Sequence, residues 1–259
     1  MVDRPTTNFA ELAAEIATWL SEQRAAAGAE RFVLGLSGGV DSAVVCALCA
    51  KAGGPERVLT GIMPSHSNPH DAEHAALVAE RFGVPTVRVE LTSVTESFLA
   101  AMPDLAEHGA TSGRQHLATA NVRPRLRMTT LYYLANLTNG IVVGTGNKSE
   151  AQIGYFTKYG DGGVDLLPLL NLYKHEVRGL ARELGVPEPI ITKAPSAGLW
   201  PDQTDEAEIG LSYDDLDAAL AALERGDAAS LVPAVRERVT TLQRSSEHKR
   251  RSAPAFPRR

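Results

Sequence analysis

Ten residues, Leu34-Gly35-Leu36-Ser37-Gly38-Gly39-Val40-Asp41-Ser42-Ala43, constrain this chain more than any other stretch. An apolar run, Phe32-Val33-Leu34, enters them, and a small-residue helical run from Ala43 to Leu48 leaves them. The pattern is strand, tight loop, helix. Gly38 and Gly39 let the backbone turn and bare its N–H groups. The following helix adds unpaired N–H donors and the positive end of its dipole. Ser37 and Ser42 add hydroxyls, and the whole makes an anion site shaped for phosphates. Asp41 is the exception. A carboxylate beside phosphates repels them unless a cation stands between, so its natural role is to hold Mg²⁺. No Gly-Lys-Ser/Thr follows, which excludes a Walker A loop, and the glycine spacing excludes the Rossmann fingerprint.

The rest of the chain repeats short apolar strands between helices. Apolar positions recur at helical spacing over residues 8–27, with strand one at 31–36 and the loop's helix ending near 52. Strands are predicted at 58–63, 87–91 and 141–143, and helices at 71–82, 121–138, 173–184, 213–223 and 231–242. This alternation predicts an α/β fold, a doubly wound parallel sheet with helices on both faces, in which ligands bind beyond the carboxyl ends of the strands. Residues 103–115 read as a polar loop and 194–206 as a mobile, lid-like one. Residues 247–259 read as a basic, then Pro-rich tail. No internal repeat or linker breaks the chain, so residues 1–259 read as a single domain.

With 259 residues and 44% apolar content, the chain can bury a core and is not disordered. A net charge of −5 argues against nucleic acid as a partner across the whole surface. Cys46 and Cys49 are the only cysteines and lie in an apolar helical run, which fits core residues in a reducing compartment. Neither a leader nor an apolar run of membrane-spanning length is present, and a cytoplasmic protein with no membrane partner is expected. His70 and His74 share a helix face beside Glu73, but no third ligand has a defined spacing and a metal site is not expected there.

Several separated motifs agree with the phosphate loop. They are Asn121 to Met128 with Arg123, Arg125 and Arg127; Val143-Gly144-Thr145-Gly146-Asn147-Lys148-Ser149-Glu150; and Gly154-Tyr155-Phe156-Thr157-Lys158-Tyr159-Gly160-Asp161 running on to Asp165. Lys193-Ala194-Pro195-Ser196 and the closing Glu247-His248-Lys249-Arg250 complete the set. Ser-Gly-Gly-x-Asp-Ser at a strand-to-helix turn resembles the PP-loop of N-type ATP pyrophosphatases, and the set as a whole resembles ammonia-dependent NAD⁺ synthetase. That resemblance implies a Rossmann-like fold of the adenine nucleotide alpha hydrolase kind. It implies amidation of deamido-NAD⁺ with ammonia, ATP as co-substrate and Mg²⁺ as cofactor, through an adenylated carboxylate that releases AMP and pyrophosphate. It also implies a homodimer.

Residue by residue, it implies that Gly35, Leu36, Ser37, Gly38, Gly39, Val40, Asp41, Ser42, Thr145, Lys174 and Ser196 contact ATP. Asp41 and Glu150 would hold Mg²⁺, and Asp41 and Lys174 would be catalytic. Arg125, Lys158, Asp165, His248 and Lys249 would bind deamido-NAD⁺. Pro124 departs from the family's pattern beside Arg125 and is expected in a first helical turn, where proline is tolerated. Arg123, Arg125 and Arg127 near a helix start oppose the helix dipole, which points to a bound anion. Two alternatives compete. A tRNA-thiolating PP-loop enzyme would need catalytic cysteines or a tRNA-binding module. A nucleotide-binding sensor would need no second substrate loop and no paired carboxylates.

Overall fold

The computed structural model describes residues 7–196, 198 and 203–257. Four strands, β1 (Arg31–Gly35), β2 (Val58–Ile62), β3 (Thr86–Arg88) and β4 (Gly140–Val142), form one parallel sheet in the order β3-β2-β1-β4. The chain steps outward from β1 to β3 and then returns to the other side of β1, so the strand order reverses between β1 and β4. Open α/β sheets bind ligands at such a point.

Alternate residues of β1 serve opposite faces. Phe32 and Leu34 join a cluster with α1 (Phe9–Ala26), α2 (Val40–Gly53), α3 (Pro69–Phe82) and α7 (Lys174–Glu183). Val33 joins the other face with Leu59, Val142 and the residues Leu131 and Ala135 of α5 (Ser112–Leu137). Burial on both faces explains why β1, β2 and β4 lie in short continuous apolar runs rather than alternating ones, whereas the edge strand β3 is largely exposed. The α2 helix is apolar nearly all round because it lies under the sheet and is covered by α1, α3 and α7. Cys46 and Cys49 are fully buried within it, as expected of core residues.

Local chemistry sets the helix ends. Asn8 caps α1 by accepting from the Glu11 N–H. Asn68 and Pro69 start α3, and Gly83, in the left-handed region at φ 65°, ends it. A third apolar cluster joins α6 (Lys148–Ile153), α9 (Asp205–Ile209), α10 (Tyr213–Glu224) and α11 (Pro233–Arg250). Two further helices, α4 (Thr92–Ala100) and α8 (Glu188–Ile191), complete the described helical set.

Three expectations are corrected. Helix α5 runs Ser112–Leu137, starting nine residues before the expected 121 because Thr111 caps it by accepting from the Arg114 N–H. Pro124 therefore lies buried inside the helix rather than in its first turn. Arg123, Arg125 and Arg127 are likewise mid-helix, and the dipole argument for an anion there falls away. At the other end, the basic run 247–250 is no tail. It closes α11, where Arg250 donates to the Gln243 carbonyl and Ser246 hydroxyl, both at 2.6 Å. Cations are favoured at that end of a helix. The expected mobile loop at 194–206 includes Ala197 and residues 199–202, which lie outside the described residues; its base is closed by the Asp205 N–H donating to the Pro195 carbonyl at 3.0 Å.

Candidate active site

The carboxyl ends of β1, β2 and β4 open into one cavity of about 740 Å³. Its floor is the Ser37–Ser42 turn. Gly38 sits at φ 76°, and a Cβ there would meet the Asp71 carbonyl oxygen at 2.3 Å, so the turn admits only glycine at this position. The Ser42 hydroxyl donates to the Gly39 carbonyl at 2.9 Å and lies 3.1 Å from the Ser37 hydroxyl. Gly39 caps α2 without any side chain, which leaves the first-turn N–H groups of the helix facing the cavity. Such a turn is built for an anion.

At the turn's Asp41, two residues distant in sequence, Glu150 and Lys174, converge. Lys174, only 2% exposed, donates from Nζ to Asp41 at 2.6 Å and to Glu150 at 2.9 Å. Its ammonium also stands 4.7 Å above the Tyr213 ring. Burial alone would lower the lysine's pKa, but the two carboxylates outweigh it and hold the ammonium charged beyond the usual lysine range. Burial pushes the Glu150 carboxyl up; Lys174 opposes the shift and Asp41 adds to it, leaving it at about 7.

The surroundings are acidic beyond what one lysine can balance. The Tyr213 hydroxyl faces Asp205 at 3.0 Å and Glu150 at 3.2 Å with a single proton. Tyr155 reaches the same Asp205 at 3.1 Å and also Glu208. Burial raises the Asp205 pKa as well. Asp41, Glu150, Asp205 and Glu208 thus put four carboxylates beside one ammonium, and a hard divalent cation takes oxygen donors of this kind. Among the described residues no group of three or more His, Cys, Asp or Glu is arranged to hold a metal alone. Asp41 and Glu150 would therefore share an ion with water or phosphate oxygens.

Residues 12–253 match the family described as NAD synthase. The chain belongs to this family. It is 48% identical over 244 residues to the NH(3)-dependent NAD(+) synthetase of Carboxydothermus hydrogenoformans, covering 94% of this chain and 96% of that one. Among solved structures it is similar to an NMN synthetase from Francisella tularensis, with 37% identity and a TM-score of 0.85 over 96% of this chain and 99% of that one. An NH3-dependent NAD synthetase from Campylobacter jejuni, in complex with the nitrate ion, matches at 27% identity and TM-score 0.81, over 97% and 100% of the two chains.

In this NAD synthase chain the remaining expected residues divide into two groups. Thr145, Ser196 and Lys249 line the cavity with the phosphate turn. Ser196 accepts from the Gly198 N–H at 3.1 Å within its own turn. Lys249 donates to the Gly154 and Phe156 carbonyls at 2.9 and 2.8 Å. Arg125, Lys158, Asp165 and His248 lie outside the cavity wall. Arg125 donates to the Lys158 carbonyl at 3.4 Å, and Lys158 Nζ to the His248 carbonyl at 2.7 Å, so α5, the 154–165 loop and α11 meet at one place. Asp165 is held apart from these three, accepting from Tyr132 and from the Val142 N–H, both at 2.8 Å.

Four residues at the site have roles that no spacing in the sequence assigned. Asn147 caps α6 by accepting from the Glu150 N–H at 3.0 Å, and its amide donates to Asp41 at 2.8 Å. Lys193 pairs with Asp71 at 2.5 Å and reaches the Gly38 carbonyl at 3.4 Å, bracing the turn from behind. Tyr213 and Asp205 complete the acidic wall. Asn147 and Lys193 carried a signal, since the first sits in the polar run after β4 and the second opens the Lys193–Ser196 motif.

Proposed function

We propose that this chain is an ammonia-dependent NAD⁺ synthetase that amidates the nicotinate carboxylate of deamido-NAD⁺. The observation that carries the reading is the convergence of Glu150 and Lys174 on Asp41 of the phosphate turn in one cavity. The turn from Gly35 to Ser42 binds the ATP phosphates through backbone N–H groups and hydroxyls. Thr145 and Ser196 contact the same nucleotide. Asp41 and Glu150 hold Mg²⁺, which supplies charge neutralisation of the phosphates. Lys174 presents its ammonium to the phosphate chain and stabilises charge on the departing pyrophosphate.

The reaction balances in two displacements. A nicotinate oxygen attacks the α-phosphorus, and the bond to the β-phosphate oxygen breaks. Ammonia then attacks the acyl carbon, AMP leaves and a proton is lost. No protein nucleophile is needed, so the residues act by positioning, by electrostatics and by keeping water from the acyl-adenylate. Arg125, Lys158, Asp165, His248 and Lys249 bind deamido-NAD⁺. Residues 1–259 work as one unit, in the cytoplasm. Among the described residues no helix is long and apolar enough to cross a membrane.

The working form is a homodimer. Val94 and Phe98 on α4, and Tyr133 and Leu137 on the adjacent α5, expose 43–65% of their surface, an apolar face suited to a second copy.

The similarity to an NMN synthetase favours a second reading, in which the amidated acid is a mononucleotide. Incubation with ATP, Mg²⁺, ammonium and either deamido-NAD⁺ or nicotinate mononucleotide tests both. AMP and pyrophosphate appearing with the dinucleotide support the first reading. Preference for the mononucleotide supports the second. Release of ADP, or no turnover with either acid, overturns both.

A further inference from the structure

One buried carboxylate takes three hydrogen bonds and has no part in the chemistry above. Asp217 lies in α10 with 3% exposure. Its Oδ1 accepts from the Ser149 hydroxyl, and its Oδ2 accepts from the His175 backbone N–H at 3.1 Å and contacts His175 Nδ1 at 2.8 Å. Ser149, itself fully buried, accepts the Lys174 backbone N–H at 2.9 Å.

Lys174 and His175 open α7, so their N–H groups have no acceptor within the helix. Ser149 and Asp217 supply those acceptors from two other elements. Ser149 directly precedes Glu150 on α6. Tyr213 lies one turn before Asp217 on α10, on the same face. Glu150, Lys174 and Tyr213 thus ride on three separate helices, and the Asp217–Ser149 pair ties the three together behind them. A lysine side chain has four rotatable bonds, and its ammonium can be held between two carboxylates only if its Cα is fixed.

We propose that Asp217 is a positioning residue: with Ser149 it fixes the start of α7, and through it places the Lys174 ammonium for the reaction. The proposal rests on the reading of Lys174 as a reacting-site group. A carboxylate suits the role because it offers only acceptors to these donors. An asparagine would turn an NH₂ group toward one of them.

The test is the kinetics of Asp217→Asn, Ser149→Ala and the double variant, with ATP and deamido-NAD⁺ varied separately and melting temperatures measured alongside. A misplacement near 1 Å costs about 100-fold in rate, so each single variant should lose about 10- to 100-fold in kcat. KM for deamido-NAD⁺ should stay within about twofold, and the double variant should be no worse than the poorer single, because both changes release the same helix start. Ser149→Ala removes one oxygen and carries the comparison by itself if Asp217→Asn does not fold. A kcat within about twofold of the unmodified enzyme, or losses that multiply and rise in step with both KM values and the drop in melting temperature, overturn the proposal. Lys174→Met separates the two levels. If it abolishes turnover while Asp217→Asn and Ser149→Ala both keep kcat within about twofold of the unmodified enzyme, the positioning role fails and the Lys174 reading stands. If Lys174→Met turns over normally, that reading fails and takes the proposal with it.

Discussion

Replacing Lys174 by methionine isolates what the buried ammonium does before any nucleotide arrives. Methionine keeps most of the length and apolar volume but removes the charge between Asp41 and Glu150. The carboxylate oxygens sit 2.6 and 2.9 Å from Nζ. They are therefore within about 5.5 Å of each other, where two like charges repel by about 3 kcal/mol at an effective dielectric of 20. Protonating Glu150 relieves that repulsion. Its carboxyl already stands at about 7 with the lysine present, and it rises further when the lysine is gone. The sign follows from linkage. A carboxyl whose folded pKa lies above its unfolded value contributes stability in full below the unfolded value and loses it as pH rises through the folded one. The variant should thus suffer most at pH 8, with a loss of roughly 3 kcal/mol, or about 6–12 °C in melting temperature, and suffer less at pH 6. A divalent cation binding the bared carboxylates should restore it by mass action. The assay is thermal unfolding at both pH values, with and without millimolar Mg²⁺ and without ATP. Mg²⁺ should raise the variant's midpoint by several degrees and leave that of the unmodified protein nearly unchanged, because until ATP draws the ammonium to its phosphates Lys174 neutralises both carboxylates. Equal stability at pH 8, or equal Mg²⁺ shifts in both proteins, would refute the reasoning.

Gly38→Ala should abolish detectable ATP binding by calorimetry and lower stability by roughly 1–3 kcal/mol, because the new Cβ meets the Asp71 carbonyl oxygen at 2.3 Å on a backbone at φ 76°. Burial holds the Cys46 thiol at about 12, so native protein at pH 8 should resist iodoacetamide and unfolded protein should take up label at both cysteines. Rapid labelling of native protein would contradict the burial of α2. Phe98→Glu combined with Tyr133→Glu should give monomers by light scattering while far-ultraviolet circular dichroism stays unchanged. A dimer that survives both charges would place the interface elsewhere.

The phosphate turn was legible because its chemistry is local: a glycine pair, two hydroxyls and a carboxylate within one strand–turn–helix. The parallel sheet was legible for a related reason, since strands buried on both faces read as unbroken apolar runs between helices. Helix α4 was not. Its Thr92, Val94 and Thr95 are poor helix formers, and Val94 and Phe98 point outward, so no core-facing period marks it. Pro124 misplaced the start of α5 because proline ordinarily punctuates a helix, whereas here it is buried within one. A basic run near the end of the chain suggests a solvated tail. In the fold Lys249 instead donates to the Gly154 and Phe156 carbonyls.

The resemblance paired Asp41 with Glu150 as metal ligands and with Lys174 as catalytic, but no spacing in the sequence says that the lysine lies between the two acids. That arrangement depends on groups that carry no chemistry of their own. Asn147 turns Asp41 toward the site while capping the helix that bears Glu150. Ser149 and Asp217 join that helix to the one that bears Lys174. Each is a short polar side chain at the start of a helix, where backbone N–H groups lack partners. The same unmet donors that make the Ser37–Ser42 turn an anion site are, at α6 and α7, satisfied from within the protein. The difference is one of side-chain supply: Gly39 offers nothing to the start of α2, so its donors remain for a phosphate, whereas Asn147, Ser149 and Asp217 close the other two starts and convert them into fixed mounts.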